Sequence, residues 1–444
     1  MKKIIAITAM AAMVAAAAMA DEPDVDLKIA EISGNAKVTW GIDLDSDAVT
    51  GRTGFKNETE AKLKVNIANG GSKLTEGEGV WGELEVKVAD ALTVENGSVG
   101  GGSAAIETAK LHIGDLYIGI KSGDTQVGGL NLSNALRSDK YGVAAKGDYA
   151  DAHGLTVGYG NDLFGIDVDF RSAPSGTDYY TDDYAIAAEA QLKDLSGLSA
   201  KAGVSYAIDS KKLGLFGSVG YKLAMGDNYL KVSAGAGFEK LDGVDGLSNG
   251  EAAASVLYAW GDEADENGGV YYLDNDNAKK RTPGVGVAVY LPLVKNTYLD
   301  IVPAFYSGEI VENLTASVLG EFEIPVGADW PSTTKIGMAV AGGVSYKVAV
   351  GDAITVTPQA GFRFANADYA AGHASGVFTA ENTDNSGLKD ISNPGADGLL
   401  NIKAGVEIGG LIPNTTFSAW YQSRNLTADS QKAGTFNIQA KIAL

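Results

Sequence analysis

Three histidines, His112, His153 and His373, are all the imidazole in the chain, and there is no cysteine. No two of them have ligand spacing on one strand, and thiolate ligands are absent. Neither a zinc site nor a disulfide framework is therefore expected. His112 falls on the polar face of its strand and reads as a wall residue bathed in water. Gly246-Leu-Ser248-Asn-Gly250 matches the nucleophile elbow, but that elbow needs a strand before it and a helix after it. Here a polar Asp/Gly turn precedes the match and another alternating run follows. Asp43, Asp45 and Asp47 open like a calcium loop. Position six is Ala48 and position twelve is Gly54, where such a loop needs Gly and Glu. No glycine-rich phosphate loop with a lysine follows any strand. The sequence thus implies no enzyme, no cofactor and no metal. One acidic stretch remains, Gly261 to Asn277, with Asp262, Glu263, Asp265, Glu266, Asp274 and Asp276. It reads as a solvated loop at a mouth of the fold, with a weak divalent-ion site bridging loops as the second reading.

The elements around these residues follow from composition and period. The chain has 444 residues and a formal charge of −21, with 58 glycines, 10 prolines and 19 tyrosines. No basic patch exists to neutralise phosphates, which excludes nucleic acid as a partner. Lys2 and Lys3, the apolar run Ile4 to Ala17, and Ala18-Met19-Ala20 form a signal peptide, 1–20, with cleavage expected after Ala20. No later stretch approaches the ~18 consecutive apolar residues of a membrane-crossing helix. Past the signal peptide no 3.6-residue period is sustained.

Instead, apolar and polar residues alternate. Val38, Trp40 and Ile42 oppose Lys37 and Thr39. Leu63, Val65 and Ile67 oppose Glu58, Glu60, Lys62 and Lys64, and Leu84, Val86 and Val88 oppose Glu83, Glu85 and Lys87. Phe362 and Phe364 flank Arg363, and Ile402, Val406 and Ile408 oppose Lys403 and Glu407. Period two puts each set on its own face of a strand. The pattern recurs to the last ten residues, Thr435 to Leu444. An exported chain without domain breaks, with about twenty segments near the ~9–11 residues that cross a bilayer as tilted strands, implies an all-β transmembrane antiparallel β-barrel of about 20 (18–22) strands. Pro303 and Pro358 inside two patterns mark bulges or misplaced strands. Tight turns such as Met225–Asn228 and Val350–Asp352 suit one end of the barrel. Ser122 to Lys140, Trp260 to Arg281 and Asn366 to Gly398 suit the other, but the strand count does not place all three together. A strand around Gly376 to Ala380 would change it.

Four stretches carry a resemblance: Ser33-Gly-Asn-Ala-Lys-Val-Thr-Trp-Gly-Ile-Asp43, Thr53-Gly-Phe-Lys-Asn57, Gly79-Val-Trp-Gly-Glu-Leu-Glu-Val-Lys87 and Thr108-Ala-Lys-Leu-His-Ile-Gly114. In order and spacing they resemble the N-terminal region of the treponemal major outer sheath protein family, which is related to the treponeme repeat proteins. The match is good over Ile32 to Ile120 and looser in the C-terminal half. It implies a spirochaete surface protein with pore-forming activity and binding to host matrix proteins. It also implies an alternative division, with a periplasmic N-terminal part and a C-terminal barrel.

The combined expectation is a single barrel over 21–444 in the outer membrane, acting as a diffusion porin for small hydrophilic solutes and ions and as a major surface antigen. The alternative is an adhesin that binds through its loops. Lipid is the partner of the apolar faces, and a homo-oligomer is compatible with them. The residues expected to line the pore are Lys37, Glu58, Glu60, Lys62, Lys64, Glu83, Glu85, Lys87, Arg363, Lys403 and Glu407. Asp262, Glu263, Asp265 and Glu266 are placed in a mouth loop. The wall reads as mixed in sign, with the acidic excess in the connections.

Overall fold

The computed structural model describes residues 30–44, 53–68, 80–89, 93–95, 98–100, 103–122, 153–172, 184–208, 211–261, 282–294, 297–308, 310–327, 335–369, 398–423, 425–427 and 433–443. The signal peptide, Asp45 and Asp47, His373, and the mouth-loop carboxylates Asp262, Glu263, Asp265 and Glu266 lie outside them, as do 376–380. Among the described residues there is no helix. The strands are β1 (Ala30–Asp43), β2 (Thr53–Ala68), β3 (Val80–Ala89), β4 (Thr93–Glu95), β5 (Ser98–Gly100), β6 (Ser103–Ile113), β7 (Leu116–Ser122) and β8 (His153–Gly160). They continue with β9 (Phe164–Ser172), β10 (Tyr184–Leu195), β11 (Leu198–Ala207), β12 (Lys212–Met225), β13 (Asn228–Leu241), β14 (Asn249–Ala259), β15 (Gly284–Pro292) and β16 (Thr297–Tyr306). The last are β17 (Leu314–Val326), β18 (Gly337–Tyr346), β19 (Val348–Val350), β20 (Ile354–Ala365), β21 (Leu399–Ile412), β22 (Thr415–Gln422) and β23 (Thr435–Ala443).

All but the β4–β5 hairpin belong to one antiparallel sheet of 21 strands. β18 and β19 follow each other along the same edge of β20, so the sheet has 20 positions. It closes on itself: β1 pairs with β23 from Asn35↔Ala443 to Asp43↔Thr435. Closure leaves no sheet edge, the condition for strands to stand in hydrocarbon.

Both strand prolines are accommodated without a bulge, contrary to the two alternatives the sequence suggested. Pro303 leaves a gap in the β16–β17 ladder, yet the register is the same on either side, Ile301↔Phe322 and Ala304↔Leu319. Pro358 pairs normally with Val406 on β21. On its other side the ladder passes from Ser345↔Gln359 to Val348↔Val356 with unchanged register. That gap is what separates β18 from β19. Each proline lacks one N–H, so each costs a ladder bond and nothing more.

The two ends of the barrel differ. Gly114-Asp115, Ser196-Gly197, Gly226-Asp227, Gly351–Ala353 and Pro413-Asn414 join strands at one end, beside Ala30 and Ala443. Ser196 and Gly197 both have positive φ, 54° and 89°, as a two-residue hairpin turn requires, and a side chain at Gly197 would collide with Lys222 O. Connections 123–152 and 366–398 leave from the opposite end. Connection 260–283 does not: its stem, closed by Trp260 N–H donating to Pro283 O at 3.0 Å, stands at the short-turn end. The three long stretches therefore do not share an end. Seven strand positions, β8 to β14, separate the first from the second, and five, β15 to β20, separate the second from the third; odd numbers alternate ends.

Candidate functional site: the inner wall of the barrel

Burial decides which face points inward. Along β1 and β23, Thr39 and Asn437 are 1% and 0% exposed, while their neighbours Val38 and Ile438 are 46% and 47% exposed. Inward residues are shielded by the wall around them, and outward ones stand open. The polar faces therefore point in and the apolar faces out, the arrangement for lipid outside and water within. Outward aromatic residues gather at both ends. Tyr258, Trp260 and Phe305 pack with ring centroids 6.1 Å apart at the short-turn end, and Trp260 Nε1 donates to Ser307 O at 2.9 Å. Phe55 pairs with Trp40, and Tyr421 with Phe436, at the other. Amphipathic rings at both rims suit the two membrane–water boundaries.

On β2 and β3 the inner face is a ladder of ion pairs. Lys64 Nζ lies 2.8 Å from Glu83, Lys87 3.4 Å from Glu60, and Lys62 3.7 Å from Glu85. Glu58 is opposite Lys37 in the register of β1 and β2, and Lys37 is opposite Lys441 on β23. His112 closes the lower end of this sector. It stacks flat on Trp81 at 3.9 Å, and its Nε2 is 3.6 Å from Glu83. It is a packed wall residue and not the freely solvated one its strand position suggested. The next sector continues in kind: Tyr117 O–H donates to Asp167, Thr156 O–H to Asp169, and Lys201 Nζ lies 2.7 Å from Glu189.

From β14 to β21 the wall changes character. Ala253, Ala288, Tyr290, Val302, Leu319 and Leu399 face inward and form one buried apolar cluster with neighbouring alanines. Tyr369, just beyond the end of β20, packs on it from inside and donates its O–H to Glu321 Oε2 at 2.8 Å. Beside this patch Asp300, Glu321 and Glu323 are all buried and bring carboxylate oxygens within 4.8 Å of one another. A lumen polar all round was expected; a sector of it is apolar and covered. The physical reason is visible in the packing: once Tyr369 turns back into the barrel, the wall beneath it is a core and no longer a wet surface.

Of the residues expected on the wall, Lys37, Glu60, Lys62, Lys64, Glu83, Glu85, Lys87, Arg363, Lys403 and Glu407 take strand positions on the inner face, and Glu58 is placed by register opposite Lys37. Their settings differ. Glu60, Lys62, Lys64, Glu83, Glu85 and Lys87 are of intermediate exposure, whereas Arg363 and Lys403 are 2% and 6% exposed. Among the residues placed outward, Ile402 is open, but Leu63 is covered although its pair Ile32 is not. Asp300, Glu189, Glu321 and Glu323 went unnoticed in the sequence, and with them the fact that the acidic excess is not confined to the connections. Their alternation with Leu299, Ile301 and Phe322 was the available signal. Leu319 on the same face as Glu321 blurred it. Ser248, in the nucleophile-like motif, is exposed in the turn between β13 and β14, where its N–H donates to Glu239 O; a strand and not a helix follows.

No family model matches the chain. Among solved structures, OccAB4 of Acinetobacter baumannii is similar over 94% of this chain and 99% of its own, at 9% identity and a TM-score of 0.43. OpdQ of Pseudomonas aeruginosa is similar over 94% and 98%, at 11% and 0.41. Two characterised sequences align along their whole length. The Major outer membrane protein MspA of Treponema maltophilum is 28% identical over 607 aligned residues covering 100% of both chains. The Major surface protein MspTL of Treponema lecithinolyticum is 26% identical, covering 99% of this chain and 96% of its own. Both alignments run end to end, on a chain that also carries the ordered Trp-Gly, Gly-Phe and Gly-Val-Trp strand motifs, so this protein is similar along its whole length to these treponemal major outer membrane and surface proteins.

Proposed function

We propose that the protein is an outer-membrane diffusion porin for small hydrophilic solutes and ions. The observation that carries this reading is the closed ring of strands with charged residues inside, exposed apolar residues outside and aromatic residues at both rims. There is no chemical step. Solutes pass down their gradient past the inner faces, and wall charge together with pore width sets selectivity. The chain after Ala20 acts as one barrel; the pairing of β1 with both β2 and β23 supports counting the N-terminal strands in it and not in a periplasmic part. Outer-membrane barrels keep short turns on the periplasmic side. By that rule connections 123–152 and 366–398 face outward, and any antigenic or matrix-binding role belongs to them. The acidic segment with Asp262, Glu263, Asp265 and Glu266 then serves the periplasmic mouth. The names of the two treponemal relatives fit an outer-membrane and surface location. Detergent-folded protein added to a planar bilayer should open discrete, ohmic conductance steps in potassium chloride. Folded protein that inserts and leaves the bilayer silent would rule the porin reading out and leave the adhesin.

A further inference from the structure

Beyond Ala365 the chain turns onto the inside of the barrel. Asn366 first extends the β20 ladder by one residue, its N–H donating to Met338 O at 3.0 Å. Its carboxamide then takes the place of further backbone: Met338 N–H donates to Asn366 Oδ1, and Asn366 Nδ2 donates to Ile336 O, each at 2.9 Å. Tyr369 N–H donates back to Asn366 O at 3.2 Å, so residues 366–369 form a tight turn. Gly337 shows where that turn lies. It stands directly opposite Glu323, which is 0% exposed on the inner face, and so shares that face. A Cβ on Gly337 would lie 2.9 Å from Tyr369 Cα and 3.0 Å from Asp368 O. The backbone of the turn therefore rests directly on the inner wall, at the end from which connection 366–398 leaves.

Two kinds of contact hold it there. Tyr369 is 4% exposed, joins the apolar cluster of Ala339, Ala365 and Leu399, and donates its O–H to Glu321 Oε2 at 2.8 Å. Ala339 and Ala365, 0% and 1% exposed, leave room on the wall for a ring. Water would otherwise wet this apolar sector, so covering it stabilises the inward position of the turn. The crown of the turn, Ala367 and Asp368, is exposed. By contrast, the β2–β3 ion pairs Lys62–Glu85 and Lys87–Glu60 keep part of their surface open. We propose that turn 366–369 is a narrowing of the lumen and that Tyr369, by packing on the wall, sets the width there. It steers hydrophilic solutes away from the apolar sector and toward the charged one. The proposal rests on the porin reading for the passage of solutes, but the position of the turn can be tested apart from it.

Every variant is first checked for the gel mobility of the folded wild-type barrel. In planar bilayers Tyr369→Ala should raise the unitary conductance in potassium chloride and shift the cut-off for neutral polyethylene glycols to larger polymers. Gly337→Ala discriminates more sharply. It adds bulk to the wall, yet it should also raise the conductance, because its Cβ displaces the turn. A conductance unchanged in Tyr369→Ala and unchanged or lowered in Gly337→Ala overturns the narrowing. Thiol labelling needs no current. A charged thiol reagent should miss Ala339→Cys, and Ala365→Cys as a second position, in the otherwise wild-type barrel. It should label both once Tyr369→Ala is added, with Lys64→Cys labelled in either background. Labelling of Ala339→Cys and Ala365→Cys with Tyr369 in place overturns the position of the turn. Silent bilayers with the expected labelling refute the porin reading alone; open channels that the variants leave unchanged refute the narrowing alone.

Discussion

Deleting residues 435–444 should abolish the barrel, and the structure sets the size of the effect. β23 meets β1 over nine paired residues, Asn35 to Asp43, and β22 over eight, Thr415 to Gln422. An antiparallel ladder carries about one hydrogen bond per residue pair. At a net of roughly 1 kcal/mol each, the deletion removes on the order of 15 kcal/mol, as much as the stability of a whole domain. In hydrocarbon the cost rises further, since β22 and β1 become bare edges and each unpaired group there costs several kcal/mol. The outward residues lost with the strand, Ile438 and Ile442, are both more than 40% exposed, so little core packing goes with them. The loss is therefore one of closure. Folding in detergent can be followed by the shift in gel mobility between heated and unheated samples and by protease resistance. A truncated chain that keeps a compact, protease-resistant form and still conducts would refute the closing role of β23.

Single cysteines should label in alternation: a water-soluble thiol reagent should reach Lys64→Cys and Glu407→Cys in the lumen and miss Val65→Cys and Val406→Cys in membranes; the reverse pattern would invert the barrel's faces. Ile402→Arg, at an outward position, should destabilise by about 2–4 kcal/mol if it lies at the bilayer midplane, read by urea unfolding in vesicles; a neutral outcome would count against a lipid-facing β21. Replacing the part-exposed pair Lys87 and Glu60 with glutamines should change stability by no more than about 1 kcal/mol, measured the same way, while altering ion selectivity. A weak cation preference should appear in reversal potentials across a salt gradient and fade as salt rises, since wall charge is screened beyond about 8 Å at physiological ionic strength. Neutralising Asp262, Glu263, Asp265 and Glu266 should reduce it without closing the channel, and indifference to those substitutions would move the preference to the wall carboxylates.

Period two alone determined a great deal. It separated Lys62 and Lys64 from Val65, and Lys403 from Ile402, because successive side chains on a strand must point to opposite faces. Twenty repeats of that rule, with no helix period and no domain break, left a closed sheet as the way to satisfy every backbone group in a membrane. The family resemblance was also legible, in ordered motifs of β1 to β6. What the period could not supply is which strand lies beside which sector of the lumen, since pairing register and ring closure are set between residues distant in sequence. Lys64 with Glu83, and Lys201 with Glu189, are neighbours only through the register of adjacent strands. Asp300 joins Glu321 and Glu323 only because β16 pairs with β17. The apolar sector under Tyr369 is further removed. A leucine facing inward has no distinctive sequence pattern; it takes its meaning from what the closed wall brings against it.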